Sequence, residues 1–176
     1  MNTLQGYICN SRPRRFGKSV TANMLTAYYS RGCDSADMFN NLDISKYADY
    51  KEHLNKYDVI HLDIQWCIEP AGGVENVVSY ISESTIAELR EYYPDIISRD
   101  AVSLPETLSQ INTMTGSKFI VIVDEWDVLI RDENTNSRIQ NEYISFLRAM
   151  FKGTEPTKYI QLAYMTGILP IKKQKT

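Results

Sequence analysis

The segment KFIVIVDEWD, from Lys118 to Asp127, restricts the fold of this chain more than any other. Five consecutive apolar residues, Phe119 to Val123, show no alternation, which suits a strand buried on both faces. Strands of that kind belong to parallel sheets covered by helices on either side. Parallel neighbours need long crossovers, so strands and helices should alternate along the chain.

They do. Gln5 to Asn10 (QGYICN) reads as a short strand, and Val20 to Tyr29 (VTANMLTAYY) has the apolar spacing of a helix. YDVIHLDIQW contains a second strand, Val59 to Ile64. Beyond Ala71-Gly72-Gly73, a long helix is predicted over Val74 to Tyr93, where Val77, Val78, Ile81, Ile86 and Leu89 fall near helical period and Pro94 stops the run. Pro105 to Met114 is a helix ended by Gly116; Ser137 to Phe151 is another; Tyr159 to Met165 is a closing strand. The expected class is α/β, three layers (αβα) around a mostly parallel sheet. At 176 residues and 43% hydrophobic, with no repeat and no low-complexity stretch, residues 1–176 make a single domain.

Charge and cysteine usage narrow the functions. A net charge of −3 argues against a protein that coats nucleic acid, which carries a broad basic face; a local basic site is still open. Cys9, Cys33 and Cys67 are odd in number and widely spaced, which fits neither a disulfide framework nor a zinc knuckle and reads as idle thiols in a reducing compartment. Nothing at the N-terminus resembles a signal peptide and no apolar run reaches the length of a membrane span, so the expected location is the cytoplasm, with no membrane partner.

In a parallel sheet ligands gather beyond the carboxyl ends of the strands, so the residues just past each strand carry the functional reading. After the first strand, RPRRFGKS puts four cations, Arg12, Arg14, Arg15 and Lys18, into seven residues ahead of a helix. Cations there oppose the positive end of the helix dipole unless an anion sits among them. Gly17-Lys18-Ser19 is the GK[ST] core of a phosphate-binding loop. The stretch of Arg12, Pro13, Arg14, Arg15, Phe16, Gly17, Lys18, Ser19 and Val20 would wrap a nucleotide's phosphates with the backbone N–H groups of its non-proline residues, Lys18 would reach the terminal ones, and Ser19 would offer its hydroxyl to Mg²⁺. After the apolar run, Asp124 can order Mg²⁺ and Glu125 can polarise the attacking water. Taken singly, RPRRFGKS could be a solvated basic turn or a small nucleic-acid patch, and VIVDE a core strand with a charged end; in this order, with a crossover between them, they point to ATP and Mg²⁺. Arg12 stands where the general pattern, G-x-x-x-x-G-K-[ST], has its first glycine, so the turn there must suit a side chain, at some expense of nucleotide affinity.

RPRRFGKS, DMFNNLDI, VIVDEWDVLI and YMTGI together resemble the bacterial and archaeal AAA-ATPase-like family of P-loop NTPases, over Tyr7 to Ile168. The loop is specific, because the family shares the arginine in place of glycine; Trp126 stands where a tyrosine is usual. Members are commonly followed by a PD-(D/E)XK nuclease-like domain, for which 176 residues leave no room. The resemblance also implies that the last strand lies between the phosphate-loop strand and the Asp124 strand. Thr166 would then face the gap between Lys18 and Glu125, either sensing the terminal phosphate or orienting water; the other reading is a Thr-Gly turn that satisfies its own backbone. Arg14 and Arg15 can cover phosphate oxygens or face a neighbouring subunit or nucleic acid. Asp127 reads as a helix-capping or supporting carboxylate. Asp63 is set aside as remote, and His53 and His61 as ordinary.

Two functions are compatible with these residues: an ATPase with Glu125 as base, Lys18 on the phosphates and Thr166 beside them, or a regulatory module that holds nucleotide or nucleic acid without turnover. The family pattern implies a further strand and a helical lid after Gly167 and an upstream segment before the first strand. On that ground the domain is expected to be truncated at both ends, to self-associate through a bare sheet edge, and to lack a closing arginine, for which Arg131, Arg138 and Arg148 read as poorly placed.

Overall fold

The computed structural model describes residues 6–133 and 135–169. Its centre is a four-stranded, all-parallel sheet built from β1 (Tyr7–Ser11), β2 (Asp58–Asp63), β3 (Phe119–Asp124) and β4 (Ile160–Gly167), in the spatial order β1-β4-β3-β2. The last strand therefore does lie between the first strand and the Asp124 strand. Gln5, the expected start of β1, lies outside the described residues.

All six residues of β3 are buried, and its side chains divide between two cores. Phe119, Val121 and Val123 pack with α5 (Val77–Tyr92), α6 (Leu104–Thr115) and α8 (Ser137–Phe151) on one face. Ile120 and Ile122 pack on the other with Ala22, Tyr28 and Tyr29 of α1 (Lys18–Tyr29), and with Phe39 and Tyr50 from the short helices α2 (Ala36–Phe39) and α3 (Tyr50–His53). This is the physical reason for the unbroken apolar run: a strand inside three layers has no solvent side. Each such side chain, fully buried, contributes about 1.5–3 kcal/mol.

The remaining elements are short. α4 (Ile64–Cys67) comes directly after β2, α7 (Val128–Arg131) comes after the acidic turn that ends β3, and α9 (Pro156–Tyr159) leads into β4. The long central helix starts at Val77 rather than Val74, since Val74–Asn76 form a 3-10 turn after Gly72 and Gly73, both at positive φ. The three cysteines are unpaired: Cys9 is exposed and Cys67 buried, where desolvation pushes its thiol up to about 11. No helix among the described residues is long and apolar enough to cross a membrane.

Candidate functional site

Because every strand runs the same way, Ser11, Asp63, Asp124 and Gly167 end at one side of the sheet, and the loops and helix starts leaving those four residues build the site. The loop from Arg12 to Gly17 is exposed throughout, with Phe16 and Val20 among the exposed apolar side chains. Arg12 donates its N–H to the carbonyl of Gly167 at 3.1 Å and is not among the residues at positive φ. The left-handed conformation falls instead on Arg15 (φ 69°) and Gly17 (φ 72°). The turn at position 12 thus suits a side chain, as the missing glycine requires; the strained side-chain position is Arg15.

Gly17 caps α1, whose first turn holds no acidic residue and receives no side-chain cap. The first helical bond is Thr21 N–H to Gly17 O at 3.0 Å. The N–H groups ahead of it and the positive end of the helix dipole are thereby left to an anion. Lys18 is only 5% exposed, a burial that a lysine accepts only with partners. Its ammonium donates to Pro13 O at 3.2 Å and lies 3.9 Å from Glu125 Oε1.

Asp124 is 2% exposed and accepts two hydrogen bonds on Oδ1, from the Thr166 hydroxyl and from Glu125 N–H at 3.0 Å. Among the described residues Oδ2 accepts no hydrogen bond. Thr166 is fully buried, so its hydroxyl serves the Asp124 carboxylate rather than its own backbone. Glu125 sits at φ 52°, a left-handed conformation that costs a non-glycine residue about 1–3 kcal/mol. The turn is held by Trp126 N–H on Thr166 O at 2.9 Å and by the Tyr143 hydroxyl on Trp126 O at 2.7 Å. Strain at an acidic turn, retained by fixed partners, is the kind of outlier that marks working sites.

Two residues that read as peripheral in the sequence belong here. Asp63 is the register partner of Asp124 on the neighbouring strand, so it is not remote; its carboxylate accepts Trp66 N–H at 3.0 Å and caps α4. Arg131 reaches the site from within the chain: Nη2 lies 2.7 Å from Glu125 Oε2 and Nε 2.9 Å from Asp127 Oδ2. Arg138 and Arg148 are exposed on α8, as expected. Asp127, wholly buried, leaves α7 uncapped by its side chain and instead accepts the N–H groups of Ile168 (3.0 Å) and Leu169 (2.7 Å) on Oδ2. Signals for both existed. Asp63 ends a strand as Asp124 does, and Asp127 and Arg131 stand four apart, the spacing of a helical ion pair.

A groove of about 720 Å³ runs beside β2 between α1 and α5, and Ser19, Asp63 and Asp124 line it. His61 lines it too, bonded through Nδ1 to the Thr26 hydroxyl at 2.9 Å, and burial lowers its pKa. Among the described residues no three His, Cys, Asp or Glu side chains form a cluster able to hold a metal unaided. Mg²⁺ in nucleotide sites needs no such cage, since one or two protein ligands complete a shell of phosphates and water. Ser19 and the open Oδ2 of Asp124, lining one groove, fit that donor set.

A family model described as "Predicted AAA-ATPase" matches residues 2–176. No curated protein and no solved structure matches the chain.

Proposed function

The chain belongs to the AAA-ATPase-like family, and from that premise we propose that it binds ATP with Mg²⁺ at the carboxyl end of its sheet and hydrolyses it. One observation carries the reading: a buried lysine ammonium, under an uncapped helix N-terminus, 3.9 Å from a glutamate that comes directly after a buried aspartate. The loop from Arg12 through Pro13, Arg14, Arg15, Phe16 and Gly17 to Val20 holds the phosphates with backbone N–H groups, and the Lys18 ammonium is their point charge. Ser19 and Asp124 hold the metal, which when bound offsets charge on the phosphates. Glu125 takes the proton of the attacking water as its oxygen bonds to the terminal phosphorus and the bond to the bridging oxygen breaks, releasing ADP and phosphate. Thr166 acts through Asp124, fixing one carboxylate oxygen so that the other is presented to the metal.

A second reading, nucleotide binding without turnover, draws on a different observation: both carboxylate oxygens of Glu125 face cations, Lys18 and Arg131. Self-association belongs to the proposal as well, since among the described residues β1 pairs on one side only. Calorimetry and phosphate release on the purified protein, with and without Mg²⁺, test the assignment. Lys18→Ala is expected to abolish most ATP binding; Glu125→Gln should keep binding and lower turnover by about 10²-fold or more. Unchanged affinity in Lys18→Ala would remove the phosphate loop from the account, and unchanged turnover in Glu125→Gln would give the base role to another group.

A further inference from the structure

Arg131 is the meeting point of two carboxylates that have different tasks. Its Nη2 holds Glu125 Oε2 at 2.7 Å and its Nε holds Asp127 Oδ2 at 2.9 Å, with the arginine side chain one-fifth exposed and Asp127 wholly buried. The same Asp127 oxygen takes the N–H groups of Ile168 and Leu169. The same backbone segment, from Gly167 to Leu169, anchors the start of the phosphate loop: Arg12 N–H donates to Gly167 O at 3.1 Å and the Ser11 hydroxyl to Leu169 O at 2.8 Å. An unbroken chain of contacts therefore runs from Glu125 through Arg131 and Asp127 to the backbone leaving β4, and from there to the loop that carries Lys18.

We infer that Arg131 is a positioning residue that fixes the Glu125 carboxylate against the phosphate loop, using Asp127 and the Gly167–Leu169 backbone as its footing. The inference rests on the reading of Glu125 as the base. Two features of the site favour it. Glu125 stands on a left-handed backbone at the tip of a turn, with no helix or strand of its own to hold its side chain, so its aim depends on its partners. Lys18, the other partner, is the weaker holder at 3.9 Å and is the residue that phosphates draw away. A guanidinium suits the task because its planar fork satisfies two carboxylates at once; an ammonium in the same place is a single point charge.

The four proteins of a double-mutant cycle decide the matter: wild type, Arg131→Gln, Glu125→Gln and the double variant, each assayed for Mg-ATP binding by calorimetry and for kcat and KM by phosphate release. Arg131→Gln is expected to bind ATP within about twofold of wild type and to lose about 10²-fold in kcat, the scale of a misplacement near 1 Å, with KM little changed. In the Glu125→Gln background the same substitution should cost less than about threefold, because a residue that acts through Glu125 has nothing left to position. Arg131→Lys, which keeps a cation beside buried Asp127, should recover part of kcat, and it carries the cycle if Arg131→Gln does not fold. Additive losses in the two backgrounds, or a fall in ATP affinity as large as the fall in kcat, overturn the inference while the hydrolysis reading stands. A wild type that binds Mg-ATP without turnover overturns both.

Discussion

Replacing Thr166 by valine keeps the shape of the side chain and removes one hydroxyl. That hydroxyl is fully buried and bonds a carboxylate that is 2% exposed, so water replaces neither partner when the bond is lost. A hydrogen bond to a charged group contributes about 1.5–3 kcal/mol. The near-isosteric methyl opens no cavity, but it sets an apolar group against the Asp124 oxygen, which keeps only Glu125 N–H as its other donor. The expected destabilisation is about 2–3 kcal/mol, or roughly 4–12 °C in Tm for a chain of this size. Urea denaturation with an unchanged m-value measures it, because an unchanged slope assigns the whole loss to the native state. Thr166→Ser keeps the hydroxyl and should lose only about 0.5–1.5 kcal/mol for the missing methyl. Mg²⁺-dependent ATP affinity should fall in the valine variant and hold in the serine variant. If valine proves as stable as threonine, or serine as damaging as valine, the bond to Asp124 is not what Thr166 is for.

Two further substitutions probe the same end of the sheet. A Cβ on Gly167 would lie 2.6 Å from Trp126 Nε1, 2.7 Å from its Cδ1 and 2.8 Å from Asp127 Oδ1, so Gly167→Ala should destabilise by about 1–3 kcal/mol. A thermal melt that matches wild type would show that the Trp126 ring gives way freely. For His61 the sign is set by burial, which lowers its pKa below the ordinary 6.5. The unfolded chain then takes up the proton first, so this contribution to stability is complete above that value and is lost as pH falls through the folded-state value. The urea midpoint should drop on acidification from about pH 8 to 5, and His61→Gln should flatten that part of the profile; superimposable profiles would assign the acid sensitivity elsewhere.

The layers of the fold can be read from the chain because burial on two faces leaves a mark in one dimension. Phe119 to Val123 has no polar residue to spare for solvent, and the alternate residues do divide between the two cores. Lys18, Ser19, Asp124 and Glu125 are legible for a related reason: each lies at the end of a strand or at the start of the helix that follows one, and parallel strands deliver such residues to one side. The features hidden from the sequence are lateral. Sequence separation conceals that Asp63 stands in register with Asp124, since the pairing of β2 with β3 is made by register and not by neighbourhood along the chain. Arg131 reads as poorly placed in the sequence, yet the single turn of α7 is enough to carry its side chain back to Glu125. Position 12 is informative only in part. The replacement of a glycine says that the turn there suits a side chain, as it does with Arg12 N–H on Gly167 O, but it gives no sign that the left-handed conformations of the loop fall on Arg15 and Gly17.

The short Thr166-Gly167-Ile168 segment is chemically crowded because it anchors the loops on either side of it. The Thr166 hydroxyl holds Asp124, and its carbonyl holds Trp126 in the acidic turn. The Gly167 carbonyl holds the start of the Arg12–Gly17 loop, and the space where its side chain would be is filled by Trp126 and Asp127. Ile168 gives its N–H to the carboxylate that supports Arg131. A central strand is the one place in a four-stranded sheet from which a single segment can reach the loops leaving both neighbours, and β4 lies between β1 and β3. Damage at this segment should consequently alter phosphate binding and base positioning together, whereas damage at Lys18 or Arg131 should separate them.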